Sequence, residues 1–272
     1  MKLFIITCFS LLMGLFPISL AIDPTMSDIY GLPGLIDPDD SKVVGGTVAH
    51  EGQFPYQISL RNRYNRHFCG GSILNHQWIL TAAHCVYGQT ASSMMVVVGT
   101  NHLNQGGTSY NVAEVIAHSS YGASSNINDI ALLRISGSIQ FNNRVNKVNL
   151  TDTDPTPGSM ATLSGWGLLQ YPSQSLPNDL QHIQLKTISY VQCKTSLRGF
   201  PVFSSHVCTY NGSGQGACQG DSGGPLVVNG VQVGVVSWGI PCARGRPDVF
   251  TSVASFRGWI MEHMGSRVCS QI

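Results

Sequence analysis

The chain has 272 residues, 15 Lys and Arg against 14 Asp and Glu, and 43% hydrophobic residues. A formal net charge of +1, with no basic run interleaved with aromatics, argues against nucleic-acid binding. No apolar run after Phe16 is long enough to cross a bilayer, which argues against a membrane protein.

At the N-terminus, Met1-Lys2 precedes an apolar run from Leu3 to about Phe16, and Ser19-Leu-Ala21 supplies small residues for cleavage. This is the layout of a signal peptide over residues 1–21, and it predicts a secreted, extracellular product. Residues 22–42 carry Asp23, Asp28, Asp37, Asp39 and Asp40, the turn-forming Gly31-Leu-Pro-Gly34, and one base, Lys42. A solvated linker has such a composition. Lys42, however, is followed by the small apolar segment Val43-Val-Gly-Gly46, so residues 22–42 read better as a propeptide removed by cleavage after Lys42.

From Val43 onward the chain has 230 residues, with 13 Lys and Arg against 9 Asp and Glu, a net charge of +4. That length suits one large or two small domains. Short β-type runs dominate: Met94–Val98, Asn111–Ala117, Ala161–Ser164, Gln181–Ile188 and Pro225–Ser237. The last contains Asn229-Gly230 between valine-rich halves, a strong signal for a tight hairpin. The polar stretch Asn149–Ser159 reads as a linker between two halves. Helical spacing is clearest at the end, over Val253–Met264. Many short strands with turn signals between them predict an all-β sandwich or barrel architecture.

Cys8 leaves with the signal peptide, and seven cysteines remain: Cys69, Cys85, Cys193, Cys208, Cys218, Cys242 and Cys269. In an exported chain these predict disulfides, and their spacing does not suggest zinc. Three bridges leave one cysteine over, and Cys269 near the C-terminus is the natural odd one.

Three local contexts carry the chemistry. Thr81-Ala-Ala-His-Cys85 sets His84 among small residues, and Asn128-Asp-Ile-Ala-Leu-Leu133 sets Asp129 at the mouth of an apolar strand. Gly216-Ala-Cys-Gln-Gly-Asp-Ser-Gly-Gly-Pro225 places Ser222 in a glycine-dense turn. A serine hydroxyl needs a base to become a nucleophile and donors to hold the oxyanion it creates. Any one of the three alone would read as structural; together they point to Ser/His/Asp catalysis.

With Val43-Val-Gly-Gly46, Phe54-Pro55, Cys69-Gly-Gly-Ser72, Trp78–Cys85, Asn128–Leu133, Gly165-Trp-Gly167 and Ser237-Trp-Gly239, the chain resembles the trypsin/chymotrypsin family of serine proteases from Val43 to about Met264. The resemblance implies an all-β protein of two six-stranded antiparallel β-barrels with the active site between them and a C-terminal α-helix. The barrels would span about 43–150 and 151–252, the helix about 253–264, within a protease domain of 43–272. An α/β-hydrolase would also fit Gly220-x-Ser222-x-Gly224, with Asp248 and His263 following. That fold needs a helix directly after the serine, and Gly-Gly-Pro with a valine hairpin cannot supply one.

The resemblance also implies roles. Ser222 is the nucleophile, His84 the general base and acid, and Asp129 the group that fixes the imidazole tautomer. The amides of Gly220 and Ser222 form the oxyanion hole. Asp221 receives the new ammonium of Val43 after cleavage, so the uncut chain is a zymogen. The implied disulfides are Cys69–Cys85, Cys193–Cys208 and Cys218–Cys242.

Substrate is implied to contact Gly216, Ser237, Trp238, Gly239 and Asp248. Gly216 stands where trypsins carry the aspartate that receives Arg or Lys, which favours large apolar and aromatic residues before the scissile bond. Asp248 keeps a second reading open, since the chain also resembles invertebrate collagenolytic (brachyurin-type) proteases of broad specificity. No cofactor or metal is expected, and no acidic residue lies between Gly99 and Ala113 to build a calcium loop. The expected partners are protein and peptide substrates, an activating protease and protein inhibitors of proteases, with the enzyme acting as a monomer, most simply in digestion. An inactive homologue serving as a binding protein would require loss of the triad, and all three residues are present.

Overall fold

A computed structural model describes residues 44–265, apart from Gln174 and Pro241. Residues 1–43, on which the expected signal peptide, propeptide and Lys42–Val43 cleavage site fall, and Cys269 lie outside the described residues.

Twelve strands close into two six-stranded antiparallel barrels. The first contains β2 (Gln57–Asn62), β3 (His67–Ile73), β4 (Trp78–Thr81), β5 (Met94–Val98), β6 (Thr108–Ala117) and β7 (Ala131–Ile135), in ring order β2-β3-β4-β7-β6-β5. The second contains β9 (Met160–Gly165), β10 (Gln181–Ile188), β11 (His206–Thr209), β12 (Pro225–Val228), β13 (Val231–Gly239) and β14 (Asp248–Ser252), and the β9–β10 pairing closes it. Two short strands bind the halves together. β1 (Thr47–Val48) precedes the first barrel in the chain but pairs with β10, and β8 (Asn149–Leu150) runs parallel to β13. The strands of the first barrel thus all precede β8 in the chain and those of the second all follow it, while β1 lies on the second barrel.

Local chemistry accounts for these elements. β10 alternates buried Gln181, Ile183, Leu185 and Thr187 with more exposed residues, the period expected of a half-buried strand. Asn229 (φ 50°) and Gly230 (φ 78°) both adopt the left-handed region, as a tight hairpin turn requires. In the first barrel Ile58, Ile79, Leu80, Leu132, Leu133 and Ile135 are fully buried. Each such side chain contributes about 1.5–3 kcal/mol relative to exposure.

Among the described residues there are three α-helices, α1 (Ala83–Val86), α2 (Tyr190–Ser196) and α3 (Val253–Gly265), besides a 3-10 turn at Ala91–Ser93. The hydroxyl of Ser252 caps α3 by accepting from the Ser255 amide (3.0 Å), and Val253, Phe256 and Ile260 are buried at helical spacing. Ser252 also donates to Asp154 (2.6 Å), tying the helix start to the inter-barrel segment. Among the described residues no helix is long and apolar enough to cross a membrane.

Candidate active site

α1 is a single turn whose middle carries His84 and Cys85, and Cys85 is bonded to Cys69 on β3. A one-turn helix is marginal alone, and the disulfide fixes it to the barrel wall. The other two bridges are Cys193–Cys208 and Cys218–Cys242, the pairs that the resemblance implies.

His84 faces Asp129, which is fully buried. The His84 amide donates to Asp129 Oδ1 (2.8 Å), and His84 Nδ1 lies 2.8 Å from Asp129 Oδ2. Ser237 Oγ also donates to Asp129 Oδ2 (2.5 Å), and Thr251 Oγ1 donates to the Asp129 carbonyl (2.7 Å). A carboxylate in this setting must have donors to offset its lost hydration, and here it has three. Because Oδ2 can only accept, a neutral imidazole held here carries its proton on Nδ1 and turns a lone pair outward on Nε2.

Ser222 reaches this pair through the backbone. The Gly70 amide donates to the Ser222 carbonyl (2.7 Å), and Gly70 adjoins the Cys69–Cys85 bridge. Thr81 Oγ1 donates to the Gly70 carbonyl (2.9 Å), and a side chain on Gly223 would strike that hydroxyl. Among the described residues Ser222 Oγ makes no hydrogen bond, and His84 Nε2 lies 3.7 Å from Cys85 Sγ.

The turn around Ser222 presents two free donors. The amides of Gly220 and Ser222 hydrogen-bond to no described residue, whereas those of Asp221, Gly223 and Gly224 are all engaged. Gly220 sits at φ 104°, and a side chain there would lie 2.9 Å from Leu176 and 3.0 Å from the Trp166 carbonyl. Only glycine fits.

Asp221 points away from this opening. It is fully buried, accepting from the amides of Gly167 (2.7 Å) and Cys218 (3.0 Å). Burial raises its pKa to about 6, against the lowering effect of those two bonds. A side chain on Gly165 or Gly167 would collide with its carboxylate. Val44 lies close by: its carbonyl accepts from the Gly216 amide (3.3 Å), and its side chain packs with Leu168, Cys218 and Cys242.

Beside Ser222 opens a cavity of about 190 Å³, lined among others by Ala217, Gln219, Ser237, Trp238, Gly239 and Asp248. Gly216 is not among its lining residues. A side chain on Gly216 would collide with Asp248 Oδ2, so the carboxylate of Asp248 fills the space that Gly216 leaves. Asp248 Oδ2 accepts from the Ala217 amide (2.8 Å), and Oδ1 would lie 3.1 Å from a side chain on Gly239. The group is 7% exposed. Its burial raises the pKa to about 7, opposed by the Ala217 bond and reinforced by the charge of Asp221.

Sequence reasoning did not assign Gln219 to the cavity wall or Ser237 Oγ to Asp129. It also missed His67, whose Nε2 lies 2.9 Å from the Gly220 carbonyl. A histidine two residues before Cys69 carries no local signal for that contact. Among the described residues the one tight group of three metal-type ligands is Cys69, His84 and Cys85. Its two sulfurs are joined to each other, so it offers no thiolate to a metal.

Residues 43–260 match the family model for trypsin. The chain belongs to the trypsin family. It is a serine endopeptidase of that family, and its relatives bear both of the family's best-known names. It is 40% identical to trypsin delta of Drosophila melanogaster over 233 residues, covering 85% of this chain and 91% of the relative. It is 43% identical to chymotrypsin-2 of Vespa crabro over 222 residues, covering 81% and 99%. Trypsin alpha of Drosophila melanogaster is 39% identical over 236 residues, covering 86% and 91%. Names alone thus leave the pocket of this trypsin-family protease open, and its chemistry has to be argued from Asp248.

Proposed function

We propose that this protease is a secreted digestive zymogen, activated by cleavage after Lys42, that cuts through an acyl-enzyme on Ser222. The observation that carries the mechanism is the pair of unengaged amides, Gly220 and Ser222, beside a histidine already oriented by Asp129. In this reading His84 Nε2 takes the proton of Ser222 Oγ as the hydroxyl attacks the peptide carbonyl. The two amides hold the resulting oxyanion, and Asp129 stabilises the imidazolium. His84 then protonates the leaving amine, and water repeats the sequence to release the acid.

Activation rests on Asp221. A fully buried carboxylate without a cation is costly, and among the described residues it forms no ion pair. Val44, the residue after the proposed new terminus, packs against Cys218, whose amide binds Asp221. A Val43 ammonium formed there would pair with the carboxylate and fix the Gly216–Ser222 segment. Cleavage after Lys42 should therefore raise kcat/KM on a peptide anilide by about 10²–10³-fold, since until then the buried Asp221 carboxylate lacks its cation. Continuous assay during limited proteolysis checks this, with a Lys42→Gln chain that should stay at the basal rate.

For specificity, the open wall at Gly239 and the apolar faces of Trp238 and Val249 suit a large apolar or aromatic residue. The position of Asp248 supports the second reading as well. An ionised carboxylate at the cavity wall would accept an arginine or lysine head group, and a protonated one would leave the cavity neutral. We assign the enzyme both substrate classes, with pH selecting between them. Profiling the activated enzyme on a peptide library at pH 6 and pH 8.5 tests the assignment. Cleavage restricted to one class at both values would contradict it.

The sequons Asn149-Leu-Thr151 and Asn211-Gly-Ser213 differ in setting. Asn149 is exposed. The carboxamide of Asn211 is engaged by the Lys186 amide, the Gln184 carbonyl and Gln215 Oε1, so no glycan is proposed there.

A further inference from the structure

Outside the pocket, the β2–β3 turn concentrates positive charge that no carboxylate among the described residues pairs with. Arg63, Tyr64, Asn65 and Arg66 are all exposed at its tip, with Tyr64 66% exposed. The tip is held in shape. Asn62 Oδ1 accepts from the amides of Tyr64 (2.9 Å) and Arg66 (3.1 Å), and Asn65 adopts φ 59°. Arg63 Nη2 donates to the Tyr64 hydroxyl (2.7 Å), which steadies one guanidinium over the ring.

Below the tip, Arg61 is 3% exposed and bonds only to neutral oxygens: Ser59 Oγ (2.9 Å), Asn65 Oδ1 (3.1 Å) and the His102 carbonyl (3.5 Å). Among the described residues none of Arg61, Arg63 and Arg66 forms an ion pair. The acids reached through His102, Asp179 and Glu51, are engaged by His102 itself and by Arg144. Three positive charges thus stand together without a carboxylate.

Their position relative to Ser222 gives them a use. β3 leaves the tip and runs directly along the nucleophile turn. His67 Nε2 meets the Gly220 carbonyl (2.9 Å), and three residues later the Gly70 amide meets the Ser222 carbonyl (2.7 Å). No residue of β3 lines the specificity cavity, which opens among residues 217–222 and 236–249. A substrate that places its acyl-side residue in that cavity must carry its leaving-group side past β3 and the Cys69–Cys85 bridge. The first residues after the scissile bond then approach the Arg63–Arg66 tip.

We propose that Arg63 and Arg66 are specificity-determining residues that favour acidic side chains just C-terminal to the scissile bond. The guanidinium of Arg63, steadied on Tyr64, can fork onto a carboxylate with little loss of freedom, and Arg66 adds a second charge beside it. Exposed pairs are individually weak, so the preference is a matter of several-fold rather than of orders of magnitude. It should also act on the rate of encounter and weaken with salt. The proposal rests on the reading of Ser222 as nucleophile.

The test uses activated full-length enzyme and two peptides identical up to the cut, one continuing with Glu-Glu and the other with Lys-Lys, with mass spectrometry following cleavage of the shared bond alone. A peptide anilide with no residues beyond the cut is the control. The Glu-Glu peptide should be favoured in kcat/KM by about tenfold at low ionic strength and by about twofold at ~0.5 M salt. The R63E/R66E variant should reverse the preference and leave anilide hydrolysis unchanged, which also reports that it has folded. Equal rates on the two peptides, or an acidic preference that survives R63E/R66E, would overturn the proposal. A wild-type enzyme inert on the anilide would instead refute the reading of Ser222, and this proposal with it.

Discussion

Replacing Ser222 with alanine should lower kcat by about six orders of magnitude while the protein keeps its fold, because among the described residues the hydroxyl makes no hydrogen bond to lose. The same loss is expected for His84→Ala, and the double variant should be no worse than either single one. Nucleophile and base act as one unit, so removing either abolishes the covalent route. A residual rate about 10³–10⁴ above water should remain, since the free amides of Gly220 and Ser222 are backbone groups that neither substitution removes. Steady-state kinetics on a peptide anilide, with circular dichroism to confirm folding, measures all three quantities. A Ser222→Ala enzyme that kept more than about a hundredth of its activity could not be reconciled with this mechanism.

The second large effect concerns Asp248. The ratio of kcat/KM for an arginine substrate to that for a phenylalanine substrate should rise about tenfold per pH unit and level off above pH about 7, the value to which burial raises this carboxyl. The ratio is the informative quantity, because titration of groups common to both substrates cancels from it. The sign follows from the charge: only the ionised form attracts a guanidinium, and that form grows as pH rises through the pKa. Asp248→Asn should flatten the ratio and cost arginine substrates about 10³-fold at pH 8.5, since it leaves a buried cation unpaired. Phenylalanine substrates should change by less than about threefold.

Stability supplies an independent check on the same group. A carboxyl whose folded pKa lies above its unfolded value of about 4 favours the fold while protonated, and that contribution is lost as pH rises towards about 7. Asp248→Asn should therefore be more stabilising, relative to wild type, at pH 8 than at pH 4. The asparagine keeps an oxygen for the Ala217 amide and removes the buried charge.

Much of this architecture is legible in the sequence wherever side chains carry the pattern. Met94–Val98 and Gln181–Ile188 coincide with β5 and β10, because hydrophobic runs and alternation decide both. The Pro225–Ser237 run divides at Asn229-Gly230 into β12 and β13, as the turn chemistry requires. β6 begins three residues before its apolar run, at Thr108, where exposed polar residues pair with β5 without a hydrophobic signal.

β3 is harder to see, since Gly70 and Gly71 occupy its centre and glycine weakens a strand pattern. They are there because space is short: a side chain on Gly70 would lie 3.1 Å from Gly224, and one on Gly71 would lie 2.8 Å from the Leu80 carbonyl.

The site divides along the same line. Local context singled out His84, Asp129 and Ser222, and the structure sets His84 against Asp129 with Ser222 held to the same wall through Gly70 and the Cys69–Cys85 bridge. What sequence could not settle is the protonation of Asp248. Its environment is assembled from the Ala217 amide, the charge of Asp221 and the gap left by Gly216, three segments joined only by folding. The charge at Arg61, Arg63 and Arg66 is likewise invisible without knowing that no acid among the described residues folds onto it.

The central claim is that Ser222 Oγ is the nucleophile, and covalent labelling tests it most directly. Activated enzyme treated with an aryl phosphonofluoridate should lose activity in step with the gain of one phosphonyl group per chain, and peptide mass spectrometry should place that group on Ser222. Labelling of a different residue with loss of activity, or full activity with Ser222 stoichiometrically modified, would contradict the account.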